Sequence, residues 1–153
     1  MTEADETWRE SLVAAALAAQ QRAYSPYSQF QVGAAILHAN AKVYTGANVE
    51  NASYGLTLCA ERVAAGWAVT AEEVNSGQLL TANAVSSHNW RAIAIASRGG
   101  VTPCGACRQF LMEFAPDMEV LLVDSTTRSV ASIVALRLLL PAAFEFSTHL
   151  RQD

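Results

Sequence analysis

The feature that most restricts how this chain can fold is a set of three cysteines in two separated motifs. Cys59 opens Cys59-Ala60-Glu61-Arg62, and the other two lie in Pro103-Cys104-Gly105-Ala106-Cys107-Arg108. Three is an odd number, so a disulfide framework leaves one thiol over. In a cytosolic chain, closely spaced cysteines more often bind metal or do redox work. A Cys-x-x-Cys pair at a helix start turns both sulfurs toward one point, and the positive helix end favours thiolate. Cys59 also stands at a predicted helix start. A fold that brings the two starts together offers three soft ligands, and neither motif supplies a fourth. That matches an open catalytic zinc, with a position left for water, better than a closed structural one.

Cys104 and Cys107 by themselves divide evenly between a metal site and a redox pair. The redox alternative predicts a reversible Cys104–Cys107 disulfide and no stoichiometric metal. Glu61 separates the readings. It stands two residues after Cys59, so it can approach the metal without being a ligand. There it can take a proton from water and pass it to a substrate. A Cys-x-Glu motif followed later by Pro-Cys-x-x-Cys is the signature of zinc-dependent deaminases of cytosine and adenine compounds.

The chain has 153 residues, 52% of them hydrophobic and 16% charged. That suits one domain spanning residues 1–153, with its core at about 23–144. A chain of this length buries roughly two thirds of the surface its unfolded form exposes, so no disulfide staple is needed. Ten basic residues against fourteen acidic ones give a net charge of −4. No basic stripe appears, and phosphate neutralisation supplies much of the affinity for polynucleotides. A small ligand is therefore expected, with no nucleic acid partner. The first six residues are acidic rather than a basic start to a secretory signal, and no apolar run is long enough to span a membrane. A soluble, cytoplasmic protein is expected.

Periodicity predicts a helix over 6–23, with Trp8, Leu12, Ala15, Ala16 and Ala19 at helical spacing. Strands are predicted over 31–37 and 43–47, joined by a polar turn at 38–42. A helix follows over about 58–70, then an irregular polar surface over 71–89. A strand over 91–96, a helix over 105–115 and a strand over 119–123 come next. A short fifth strand is expected at 128–131, and helix from Ser132 to Pro141. Strands alternating with helices imply an α/β fold, a three-layer α/β/α sandwich with a mixed sheet of about five strands. Trp8, Trp67 and Trp90 read as packing residues, and His38, His88 and His149 as surface residues.

In five stretches, in order from about Ala23 to Phe144, the chain resembles the small three-cysteine cytidine deaminases. Pro26-Tyr27-Ser28-Gln29-Phe30-Gln31-Val32-Gly33-Ala34-Ala35 resembles their nucleoside-binding entry, and Asn48-Val49-Glu50-Asn51-Ala52-Ser53-Tyr54 their ribose-binding loop. The two cysteine motifs, the second extended to Gln109, resemble their metal motifs. Leu139-Leu140-Pro141-Ala142-Ala143-Phe144 resembles their C-terminal signature.

The resemblance implies roles. Cys59, Cys104 and Cys107 would hold Zn²⁺, and Glu61 would be the proton shuttle. Phe30 would pack on the pyrimidine, Asn48 and Glu50 would bond the ribose hydroxyls, and Ala60 would meet the base through its backbone. Tyr54 would line the pocket or support its loop. Arg62 would hydrogen-bond the thiolates. Three thiolates and one Zn²⁺ sum to −1, and a guanidinium offsets that charge so that the metal still acidifies water. Phe144 would reach a neighbouring subunit's site in a homotetramer with shared active sites. The reaction implied is hydrolysis of cytidine or deoxycytidine to uridine or deoxyuridine, with no organic cofactor, in pyrimidine salvage. Alternatives are deamination of another cytosine nucleoside, such as an aminoacyl-nucleoside antibiotic, and a non-catalytic zinc-binding module. The segment 71–89 looks longer than is usual for the family.

Overall fold

The computed structural model describes residues 3–71 and 89–144. In chain order the elements are α1 (Glu3–Gln20), β1 (Gly33–His38), β2 (Val43–Ala47), a 3-10 turn (Tyr54–Leu56), α2 (Ala60–Ala71), β3 (Trp90–Ser97), α3 (Gly105–Phe114), β4 (Glu119–Asp124), β5 (Ser129–Ala135) and α4 (Leu136–Leu139). The strands form one sheet in the order β2-β1-β3-β4-β5. β3 and β4 run parallel, and the other neighbouring pairs are antiparallel. This is the mixed five-stranded sheet with flanking helices that the alternation predicted.

The period of two along each strand explains the layers. Ala34, Ile36, Ile93, Ile95, Val120 and Leu122 face one side and join α2 and α3 in the larger core. Ala35, Leu37, Ala92, Ala94, Ala96, Leu121 and Val123 face the other side, where Leu12, Ala16 and Leu17 of α1 cover them. With both faces covered, the central strands read as continuous apolar runs. The four alanines on the second face let α1 lie close. A side chain at Gly33 would strike the backbone of Ala16 and Gln20, so only glycine fits there. Gly46 plays the same part under α2, where a methyl would strike the backbone of Ala60 and Ala64. These contacts seat the start of α2, and so Glu61, directly on the sheet.

The C-terminal region departs from the sequence expectation. β5 runs to Ala135 rather than stopping near 131, and helix is confined to Leu136–Leu139. Leu121 pairs with Ile133 and Val120 with Val134. That ladder and the β-branched residues Val130, Ile133 and Val134 override the helical preference of the alanines and leucines around them. α1 ends at Gln20, three residues before Ala23, in a turn closed by Arg22 and Ala23 amides. His38 ends β1 rather than opening the turn, and its Nδ1 accepts the Asn40 amide at 3.1 Å. Trp90 is buried against Phe114, and the guanidiniums of Arg9 and Arg91 lie 4.8 and 5.0 Å from the centre of the Trp8 ring. Trp67 is half-exposed, with its ring edge-on to Tyr44. The expectations for 72–88, His88 and His149 lie outside the described residues. Among the described residues no helix is long and apolar enough to cross a membrane.

Candidate active site

The β3–α3–β4 crossover places the start of α3 at the carboxyl end of β3, the usual position of sites in sheets with parallel strands. Cys104 is the N-cap of α3, and Cys107 lies in the first turn. Cys59 immediately precedes α2, with its carbonyl accepting the Arg62 and Val63 amides. The three sulfurs all lie within 4.8 Å of one another. Cys59 Sγ and Cys104 Sγ are 4.0 Å apart. Sulfurs sharing a tetrahedral zinc at about 2.3 Å stand roughly 3.8 Å apart, so the donor set fits that metal in number, chemistry and spacing.

The surroundings favour thiolate at Cys59. The Cys59 thiol is lowered to about 5, chiefly by the hydrogen bond from Cys107 and also by Arg62 and Cys104. Cys107 is raised, because it keeps the proton that it shares with Cys59 and is itself desolvated. Arg62 Nη2 lies 3.7 Å from Cys59 Sγ and 3.2 Å from the Thr57 carbonyl oxygen. Its pKa is raised in return, first by the Cys59 hydrogen bond. Arg62 Nε is buried without a hydrogen-bond partner, which leaves further donor capacity beside the thiols. Glu61 is 5% exposed. Burial pushes its carboxyl above the ordinary range, and the Cys59 charge adds to that. A buried carboxyl with a raised pKa holds a proton more readily than an exposed one, which suits a group that must take up a proton and release it.

A cavity of about 330 Å³ opens over these groups, lined among others by Phe30, Asn48, Glu50, Ala60, Glu61 and Cys104. Its size is at the small end of ordinary ligand sites. The loop before β1 forms one wall. Gln29 is left-handed at φ 56°, a strained setting of the kind that functional sites retain, and it turns the chain just before Phe30. Asn48 holds this loop from the other side. Its Oδ1 accepts the Val32 amide at 2.8 Å, and its Nδ2 donates to the Phe30 carbonyl at 2.9 Å. The Glu50 carboxylate accepts the Ser28 hydroxyl and the amides of Tyr27 and Ser28. The Ser28 hydroxyl is the largest influence holding its pKa below the ordinary value. Glu50 is therefore an anion at neutral pH, ready to accept hydrogen bonds.

Residues 6–123 match the family model of the cytidine and deoxycytidylate deaminase zinc-binding region. A probable cytidine deaminase of Dictyostelium discoideum is 40% identical over 138 residues, which cover 88% of this chain and 82% of that one. A cytidine deaminase of Halalkalibacterium halodurans is 39% identical over 140 residues, 89% and 93% of the two chains. The chain belongs to the cytidine and deoxycytidylate deaminase family. Its fold agrees. The crystal structure of the cytidine deaminase from Burkholderia pseudomallei superposes with a TM-score of 0.75 at 39% identity, covering 94% of this chain and 100% of the other.

The deaminase zinc-binding region contains all three cysteines and Glu61. Of the positions singled out in the sequence, Phe30, Asn48, Glu50, Cys59, Ala60, Glu61 and Cys104 line one cavity. Cys107 lies behind that wall, fully buried. Two positions stand apart within one chain. Tyr54 is 75% exposed and touches Tyr27 edge-on. Phe144 is 62% exposed, with its backbone N–H and C=O both bonded to the Gln109 side chain at 2.9 Å. Sequence reasoning passed over Ser28, Thr57 and Thr102, which also line the cavity. Ser28 and Thr57 sit inside or beside the quoted motifs, and their nearness to them was the available signal.

Proposed function

We propose that this enzyme hydrolyses the 4-amino group of cytidine and deoxycytidine, giving uridine or deoxyuridine and ammonia, in pyrimidine nucleoside salvage. The observation that carries the reading is the buried Glu61 carboxyl in the wall of a nucleoside-sized cavity beside three converging thiols. Cys59, Cys104 and Cys107 hold zinc, which when bound supplies a Lewis acid able to make water nucleophilic at neutral pH. Glu61 takes a proton from the attacking water and delivers it to N3 of the ring. It then carries the second proton to the amino group as the C4–N4 bond breaks, so the carboxylate ends as it began. Arg62 offsets the negative thiolates and keeps water activation favourable.

Phe30 packs on the pyrimidine and the Ala60 backbone meets the base edge. Glu50 accepts hydrogen bonds from ribose hydroxyls. Asn48 keeps one N–H beyond its bond to Phe30, so it can donate to the sugar while bracing the loop. Glu50→Ala removes a charged acceptor, so KM for cytidine should rise about ten- to a hundredfold with zinc content unchanged. Steady-state kinetics with metal analysis checks this, and an unaltered KM would remove Glu50 from the sugar site.

The single domain works as a homotetramer with shared active sites, in which Tyr54 and Phe144 complete the pocket across subunits. The exposed side chains of Tyr54, Leu56, Leu138 and Phe144 support assembly, because large apolar groups left on a surface commonly mark contacts with partners. Sedimentation equilibrium should give four times the chain mass, and a monomer active at assay concentration contradicts sharing. The cytoplasm, where thiols stay reduced, suits three free cysteines.

A further inference from the structure

Arg108 occupies a position that runs against local preference. It lies in the first turn of α3, where the helix end already carries positive charge and a cation is unfavourable. Local conflicts of this kind concentrate at functional sites. The structure supplies the compensation. The guanidinium folds back over the helix start and spends three donors on three separate acceptors. Nε donates to the Pro103 carbonyl at 2.8 Å, Nη2 to Thr102 Oγ1 at 3.1 Å and Nη1 to the Leu139 carbonyl at 2.9 Å.

The acceptors differ in what they control. Pro103 and Thr102 belong to the loop that carries Cys104, and Val101, Thr102 and Cys104 all line the cavity. Leu139 is the last residue of α4, whose carbonyl has no partner within so short a helix. Arg108 thus ties the cavity loop to α4, across 31 residues of chain. Cys104 itself has no side-chain capping bond to hold it. The bond to the Pro103 carbonyl restrains the peptide that joins Pro103 to Cys104, the backbone from which the sulfur projects.

We propose that Arg108 is a positioning residue, which sets the direction of Cys104 Sγ and the place of Thr102 in the cavity wall by clamping their loop to α4. The proposal rests on the reading of the three cysteines as metal ligands. The geometry requires a fork. A lysine ammonium also carries three N–H donors, but all on one nitrogen, so it cannot reach acceptors that Nε, Nη1 and Nη2 meet from three separate positions.

Replacement of zinc by Co²⁺ gives a test that reads the ligand geometry directly. Wild type, Arg108→Lys and Arg108→Met are loaded with Co²⁺, and the visible d–d and thiolate charge-transfer bands are compared. Both variants should keep one metal per chain, because all three thiols remain. Their bands should shift, and with zinc their kcat/KM for cytidine should fall about 10- to 100-fold, the cost of a small misplacement at a reacting centre. Wild-type bands in either folded variant overturn the proposal, whatever happens to Tm, since a merely structural arginine would lower Tm and leave the ligand field alone. Should neither variant fold, Thr102→Val removes one acceptor and keeps the shape. A smaller shift in the same bands is expected there, and unshifted bands overturn the proposal. A wild type that bound Co²⁺ but did not deaminate cytidine would remove the substrate reading, while the band comparison would still decide the role of Arg108.

Discussion

Glu61→Gln should retain one zinc per chain and deaminate cytidine about 10²–10⁴ times more slowly than the wild type, the usual contribution of a positioned acid–base group. Glutamine keeps the shape of the side chain, so the start of α2 and the cavity wall should survive the change. What it loses is the ability to accept a proton. The reaction needs two proton movements, from water to N3 and then to the departing amino group. Glu61 is the carboxyl in the cavity wall whose pKa burial raises, whereas that of Glu50 is lowered by its own hydrogen bonds. In the proposed mechanism the two carboxylates divide the work, one moving protons and the other staying charged to bind. Metal analysis beside steady-state kinetics checks the prediction. Near-normal turnover in a zinc-loaded Glu61→Gln protein would place the proton transfer elsewhere.

Cys107→Ser should lose both metal and activity. The serine hydroxyl stays protonated at neutral pH and is a hard donor in place of a soft one, so one of three ligands is effectively removed. The site cannot replace it locally, because Cys59, Cys104 and Cys107 are the only group of potential ligands of this kind among the described residues. Loss of a mere outer partner of a metal site commonly costs about 10–100-fold in affinity or activity, and loss of a ligand should exceed that. Equilibrium dialysis against a zinc buffer gives the affinity directly. Cys107 is fully buried on α3, so the unliganded form should also unfold at a lower temperature. Wild-type zinc affinity in Cys107→Ser would exclude the three-thiolate site.

The sequence was most readable where chemistry is local. Cys59 and Glu61 are two residues apart, and Cys104 and Cys107 are three apart, and each pair stands at the start of a helix that the neighbouring residues predict. The sheet was readable for a related reason. Runs such as Val32 to Leu37 and Val120 to Val123 are apolar throughout because both faces are covered. The less readable features depend on partners distant in the chain. Nothing near Asn48 announces that its side chain spans the Phe30 and Val32 backbone, 18 and 16 residues away. The role of Arg108 depends on Leu139, which lies 31 residues on and has no local sequence signal. Residues 132–135 read as helix from their alanine and leucine neighbours, and only the pairing with β4 makes them strand. Gly33 and Gly46 lie inside the predicted strands, and only the helices above them show why no side chain fits there.

The most direct test of the account is turnover of cytidine by protein carrying one zinc per chain, followed by ammonia release and by uridine formation. Stoichiometric uridine and ammonia are expected, with activity lost when the metal is stripped and restored by zinc alone. Full zinc occupancy with no turnover of cytidine or deoxycytidine would contradict it.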